Sequence, residues 1–168
     1  LFNETYPSWF YSINQGASTI WERWNSYSKA EGFNPQKMNS LNHYAYGAIG
    51  EWMYDRIAGI APLEAGYKTI SIAPQIQQPL TSASASLNTP FGKVASSWEV
   101  INEALKLEIV VPPNTTAKVS MPADTAQELM LNGVTLEDNS NVKLVNTGND
   151  IFKLEVQPGT YVFQSTLK

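Results

Sequence analysis

Leu105-Lys106-Leu107-Glu108-Ile109-Val110-Val111-Pro112-Pro113 sets large apolar residues at every second position until two prolines close the run. Successive side chains of an extended backbone point to opposite faces, so this pattern predicts a strand with one buried face. Proline lacks an N–H and fixes φ, which ends the strand. The same pattern recurs downstream. Phe152, Leu154 and Val156 alternate with Lys153 and Glu155, and Pro158-Gly159 makes a turn before Tyr161 and Phe163. Further strands are predicted over 67–73, 82–88, 93–100, 117–121, 128–132 and 142–147. Turn residues separate them at Asn88-Thr89-Pro90, Pro113-Asn114, Asn132-Gly133 and Gly148-Asn149. So many short strands in so short a span predict an antiparallel β-sandwich over residues 66–168. Trp98 falls in one of these strands and is read as sandwich core.

Upstream the composition changes. Thirteen of the nineteen aromatic residues lie in residues 1–61. Leu41, Tyr44, Ala45, Ala48, Ile49, Trp52, Met53, Arg56, Ile57 and Ile60 recur at spacings of three and four, one stripe of a helix over 40–58. Ser40 is placed to cap that helix, and Gly59 and Pro62 to stop it. Trp52 lies on the stripe and is read as core. Glu51 and Asp55 lie off it, free to pair with basic groups of other helices. Gly47 and Gly50 sit on the opposite face, where another helix or a ligand can approach closely. An earlier helix is expected over about 8–16, and the polar stretch 25–39 reads as a loop. The fold class is therefore α+β, with a boundary near Ala61-Pro62. Two helices cannot bury so rich an aromatic set, so their natural context is a larger helical domain of which they form the last hairpin. By themselves they are expected to pack on the sandwich, to pair between copies as a homo-oligomer, or to stay exposed.

Composition limits the function. The chain has 168 residues, a formal net charge of −4 and no cysteine. With no cluster of Lys and Arg, nucleic acid is not an expected partner. No apolar run is long enough for a membrane-spanning helix. Disulfides and thiolate metal sites are excluded. The chain starts at Leu1 without a signal-peptide pattern, and so is expected to be a piece of something longer, an excised part or a mature end.

The stretch Gly16-Ala17-Ser18-Thr19-Ile20-Trp21-Glu22-Arg23-Trp24 places a carboxylate between two indoles. An indole offers a flat apolar face suited to the C–H side of a sugar ring. A carboxylate can accept hydrogen bonds from hydroxyls or take a proton from water. Twenty residues on, Met38-Asn39-Ser40-Leu41-Asn42-His43-Tyr44-Ala45-Tyr46-Gly47 carries the single histidine. Together these read as half of a carbohydrate-processing site. Other readings fit the same residues. Glu22 can pair with Arg23 or a helix end, His43 can bond a nearby carbonyl, and Trp21 and Trp24 can be core. Arg23 is a weak candidate to orient Glu22, since adjacent residues point apart. No metal constellation, nucleophilic serine motif or phosphate-cradling glycine loop stands out.

Gly16–Trp24, Met38–Gly47 and Gly50-Glu51-Trp52-Met53-Tyr54, followed by a sandwich, resemble the C-terminal end of bacterial α-L-rhamnosidases. These are inverting glycoside hydrolases with an (α/α)6 barrel and flanking β-sandwich domains. The resemblance covers residues 5–75 with specific motifs, and the later strands agree in position and general pattern. It implies that residues 1–61 are the last helical hairpin of the barrel and residues 66–168 the C-terminal sandwich. It implies that Glu22 is the general base, that His43 helps hold the sugar, and that Trp21 and Trp24 line the pocket. The family's general acid belongs to an earlier Asp/Arg/Glu-rich motif that these residues do not contain. The expected partners are a rhamnose-containing glycoside or polysaccharide and the N-terminal remainder of the same protein. No cofactor is called for. A periplasmic or secreted bacterial setting is preferred to the cytoplasm. The isolated chain is expected to be inactive. The alternative is an accessory sandwich, either binding carbohydrate through exposed aromatic residues or capping the barrel structurally.

Overall fold

The computed structural model describes residues 3–125, 128–136, 139–148 and 150–167. The chain divides into two compact units, Leu1–Glu51 and Trp52–Lys168.

In the first unit, helix α1 (Trp9–Asn14) starts at Ser8, whose Oγ accepts the Tyr11 N–H at 2.9 Å. It stops at Gly16, which takes φ +108°. The stretch expected to be a loop contains a small hairpin. Strand β1 (Tyr27–Ser28) pairs antiparallel with β2 (Gly32–Phe33).

The helix expected over 40–58 is shorter and less regular. Helical structure starts at Ala45 and runs as a 3₁₀ turn (Ala45–Ala48), α2 (Ile49–Trp52) and a π turn (Met53–Ile57). Residues 40–43 cannot join it because their backbone is committed elsewhere. The Ser40 carbonyl accepts from the Glu22 N–H and the His43 N–H donates to the Ile20 carbonyl. Ser40 therefore caps no helix; its Oγ closes a local turn with Asn42. The π turn closes through Ala58 N–H to the Met53 carbonyl at 3.0 Å and adds a residue, which takes later side chains off the 3.6-residue stripe. Trp52, read as core, is instead 44% exposed. Asp55 pairs with its neighbour Arg56 at 2.9 Å.

The second unit is a β-sandwich. Its strands are β3 (Ile60–Pro62), β4 (Thr69–Ile72), β5 (Ser82–Thr89), β6 (Gly92–Ile101), β7 (Ala104–Val111), β8 (Thr116–Pro122), β9 (Met130–Leu131), β10 (Val134–Thr135), β11 (Val142–Gly148), β12 (Ile151–Val156) and β13 (Gly159–Thr166). One sheet has the order β10-β9-β13-β7-β6-β5 and the other β11-β12-β8-β4-β3. The pairing is antiparallel throughout except for β4 and β8, which run parallel. Alternate residues of both sheets, among them Ile70, Ile72, Trp98, Leu107, Ile109, Val119, Leu154 and Phe163, meet in one buried cluster. Two side chains of β6 also close the helical end beside it. Trp98 Nε1 donates to the Ile57 carbonyl at 2.7 Å, and Ser96 Oγ to the Ala58 carbonyl at 2.7 Å. Trp98 is thus core, as its sequence position predicts. No helix among the described residues is long and apolar enough to cross a membrane.

Candidate active site

Two irregular segments of the first unit run side by side. Thr19 Oγ1 donates to the Leu41 carbonyl, the His43 N–H to the Ile20 carbonyl at 2.8 Å, and the Glu22 N–H to the Ser40 carbonyl at 2.9 Å. The Ser40 N–H returns the contact by donating to Glu22 Oε2 at 2.8 Å. A peptide N–H aimed at a carboxylate is a charge-assisted bond that holds the group in one orientation. Glu22 and His43, 21 positions apart in sequence, are thereby carried on paired backbone. Both are partly exposed.

The imidazole is placed by its own turn. His43 Nδ1 accepts the Ala45 N–H at 3.2 Å, and the ring lies flat on Tyr44 with centroids 5.3 Å apart. Accepting at Nδ1 leaves the Nε2–H as the donor of the neutral ring.

The two indoles behave differently from each other. Trp21 is buried, 7% exposed, with its ring edge-on to Tyr27 at 6.4 Å. Trp24 stacks on Tyr46 at 4.1 Å and 10°, and Trp9 meets it edge-on at 4.9 Å. Trp21, Trp24, Trp9, Ile13, Ile20 and Tyr46 line a cavity of about 270 Å³. One face of Trp24 is therefore already occupied by an aromatic ring, and Trp21 gives most of its surface to the protein. A Cβ at Gly47 would lie 3.0 Å from Ile20 Cδ1, a tight contact with the end of a flexible side chain. A Cβ at Gly50 would meet nothing within 4 Å.

Arg23 does not touch the Glu22 carboxylate. Its Nε donates to the Met38 carbonyl at 2.9 Å and its Nη2 to the Lys37 carbonyl at 3.0 Å. Sequence reasoning missed two members of the site. The Ser40 donor is a backbone group and leaves no mark on side-chain chemistry. Tyr46 was visible only as part of a motif, with no sign that it stacks on Trp24.

In the second unit the aromatic residues after residue 66 are Tyr67, Phe91, Trp98, Phe152, Tyr161 and Phe163, and all are buried or partly buried. No exposed aromatic platform for sugar exists among the described residues of the sandwich.

Residues 1–57 match the family model of the bacterial alpha-L-rhamnosidase 6 hairpin glycosidase domain, and residues 59–135 that of the bacterial alpha-L-rhamnosidase C-terminal domain. An alpha-L-rhamnosidase of Formosa agariphila is 68% identical over 165 residues, which is 98% of this chain and 18% of the relative. One from an Alteromonas species is 53% identical over 123 residues, 73% of this chain and 13% of the relative. The crystal structure of Streptomyces avermitilis alpha-L-rhamnosidase complexed with L-rhamnose superposes with a TM-score of 0.85 at 39% identity, covering 99% of this chain and 15% of that one. The chain thus spans less than a fifth of the length of these relatives.

Proposed function

We propose, for a chain that belongs to the bacterial α-L-rhamnosidase family, that it supplies the water-activating half of a site releasing terminal α-L-rhamnose with inversion. Residues 1–61 act as the last hairpin of the catalytic barrel, and residues 66–168 as a sandwich that caps it structurally. The observation that carries this is the seating of Glu22, whose Oε2 takes the Ser40 N–H at 2.8 Å on the same paired segments that bear His43. Glu22 Oε1 takes a proton from water, and that water attacks the anomeric carbon on the face opposite the leaving oxygen. As the anomeric C–O bond breaks, a general acid from an earlier part of the barrel gives its proton to the leaving oxygen, the two carboxyl groups being about 6.5–9.5 Å apart so that the water fits between them. His43 donates from Nε2 to a sugar hydroxyl. Trp21 and Trp24 shape an apolar wall through the cavity that they line with Trp9, Ile13, Ile20 and Tyr46, which neither Glu22 nor His43 lines. The substrate is a rhamnose-containing glycoside or polysaccharide, and the first partner is the remainder of the glycosidase domain. Where that remainder is absent, exposed aromatic residues such as Phe33 and Tyr44 favour self-association.

The buried state of the sandwich aromatic residues favours the capping role over a separate sugar-binding role. The experiment is proton NMR of the first-formed sugar from an aryl α-L-rhamnoside, with the full-length enzyme and the isolated chain side by side. The full-length enzyme should release β-L-rhamnose first, and the isolated chain should release none. An α-configured first product would contradict the base role. Turnover by the isolated chain would contradict the division of the site.

A further inference from the structure

Glu22 and Arg23, adjacent in an irregular segment, both grip the same partner loop. The Glu22 carboxylate reaches the Ser40 N–H. The Arg23 guanidinium reaches the same loop two residues earlier, donating from two nitrogens to the successive carbonyls of Lys37 and Met38. Met38 lies at φ +57°. In that region the Cβ of an L-residue crowds the following carbonyl oxygen, so the conformation persists where neighbours hold it in place. The two guanidinium bonds, on the Met38 carbonyl and on the one before it, are such a hold. Asn39 adds to it, since Nδ2 donates to the Ser26 carbonyl at 3.0 Å and to the Asn34 carbonyl at 3.2 Å. Ser26 is fully buried and is tied back to Arg23, its Oγ accepting the Arg23 N–H at 3.2 Å and donating to the Arg23 carbonyl at 3.1 Å.

We propose that Arg23 is a positioning residue for the water-activating carboxylate: its guanidinium fixes the 37–40 loop, and the Ser40 N–H of that loop fixes Glu22. The proposal rests on Glu22 being the base. It explains why a cation stands beside the carboxylate in sequence without pairing with it. A salt bridge from Arg23 would occupy the oxygens that must accept a proton. A guanidinium turned to backbone carbonyls orders the same carboxylate and leaves it available. Lysine is a poor substitute, because a single ammonium cannot present two donors in one rigid plane to two successive carbonyls.

The test uses the full-length enzyme carrying Arg23→Ala, Arg23→Lys, Glu22→Gln and the Glu22→Gln/Arg23→Ala pair, with an aryl α-L-rhamnoside and thermal unfolding of each variant. Displacing a reacting group by about 1 Å costs on the order of 10² in rate. Arg23→Ala should therefore lower kcat by roughly 10- to 100-fold, with KM changed far less, because none of the sugar contacts proposed above comes from residues 37–40. Added guanidinium ion at non-denaturing concentration should return part of the lost kcat. In the Glu22→Gln background the same Arg23→Ala change should lower the residual kcat no further, since the group it acts through is gone. Arg23→Lys should fold and show an intermediate kcat, and it decides the question if Arg23→Ala fails to fold. Near-normal kcat in Arg23→Lys and Arg23→Ala, with Glu22→Gln inactive, would overturn the positioning role and leave the base assignment intact. An equal loss from Arg23→Ala with and without Glu22 would also overturn it. Near-normal kcat in Glu22→Gln would instead remove the base assignment itself.

Discussion

The peptide N–H of Ser40 donates to Oε2 of Glu22 at 2.8 Å, while the N–H of Glu22 donates to the carbonyl of Ser40 at 2.9 Å. The reciprocal pair fixes both the register of the two segments and the orientation of the carboxylate. One step along, the His43 N–H meets the Ile20 carbonyl, so both residues are carried on backbone of fixed register.

His43 should report on binding. With His43 holding the sugar as proposed, its Nε2–H would serve the ground state and the transition state alike, so His43→Ala in the full-length enzyme should raise KM by about tenfold with a smaller change in kcat. Initial-rate kinetics on an aryl α-L-rhamnoside check this. A large fall in kcat at unchanged KM would mean that His43 acts in the chemical step.

Two glycines of the sandwich unit should not tolerate alanine. A Cβ at Gly59, which takes φ +82°, would lie 2.3 Å from the Pro74 nitrogen, a backbone atom. A Cβ at Gly159 would lie 2.8 Å from Tyr161 Oη, a buried ring held by bonds to the Gln157 and Pro158 carbonyls. Overpacking typically costs about 1–3 kcal/mol. Gly159→Ala should fall in that range, and Gly59→Ala at or above its top, in urea unfolding of the isolated chain. Wild-type stability of Gly59→Ala would show that the contact with Pro74 is not close.

Tyr161 should make the sandwich weaken in alkali. Burial pushes its phenol above the ordinary value of 10.0. The folded state therefore disfavours the phenolate more than the unfolded state does. The stabilisation from keeping this group neutral is fully present below pH 10.0 and is lost as pH rises from there through the folded value. Denaturant unfolding followed across that window should show a downward slope that Tyr161→Phe flattens. At neutral pH Tyr161→Phe should cost about 1 kcal/mol for the lost hydrogen bonds. The same slope in both proteins would assign the alkaline effect to other groups.

The sandwich was legible because alternation with a period of two, cut by Pro, Gly and Asn, has one physical reading. Leu105–Val111 and Phe152–Val156 are strands with alternate residues buried, as their patterns predict. Which strands lie side by side was not legible. The parallel pairing of Thr69–Ile72 with Thr116–Val119 joins residues 47 positions apart, and periodicity specifies a face without specifying a neighbour. The helix over 40–58 was read too long because Leu41, Tyr44 and Ala45 have helical spacing, while the backbone at 40–43 has already been claimed by residues 20–22. In the candidate site, Glu22 and His43 stood out by residue type and motif. The groups that hold them, the Ser40 N–H and the carbonyls gripped by Arg23, are main-chain atoms common to every residue and carry no signature.

The most direct test of the account is kcat of the full-length enzyme carrying Glu22→Gln. Glutamine keeps the size of the side chain and an oxygen to accept the Ser40 N–H, but it cannot take a proton from water. Loss of a general base lowers the rate by about 10²–10⁴. A general-base role for Glu22 predicts a fall of that size in kcat, with rhamnose binding nearly unchanged by calorimetry. A kcat close to wild type would contradict it and make Glu22 a structural residue that ties two loops together.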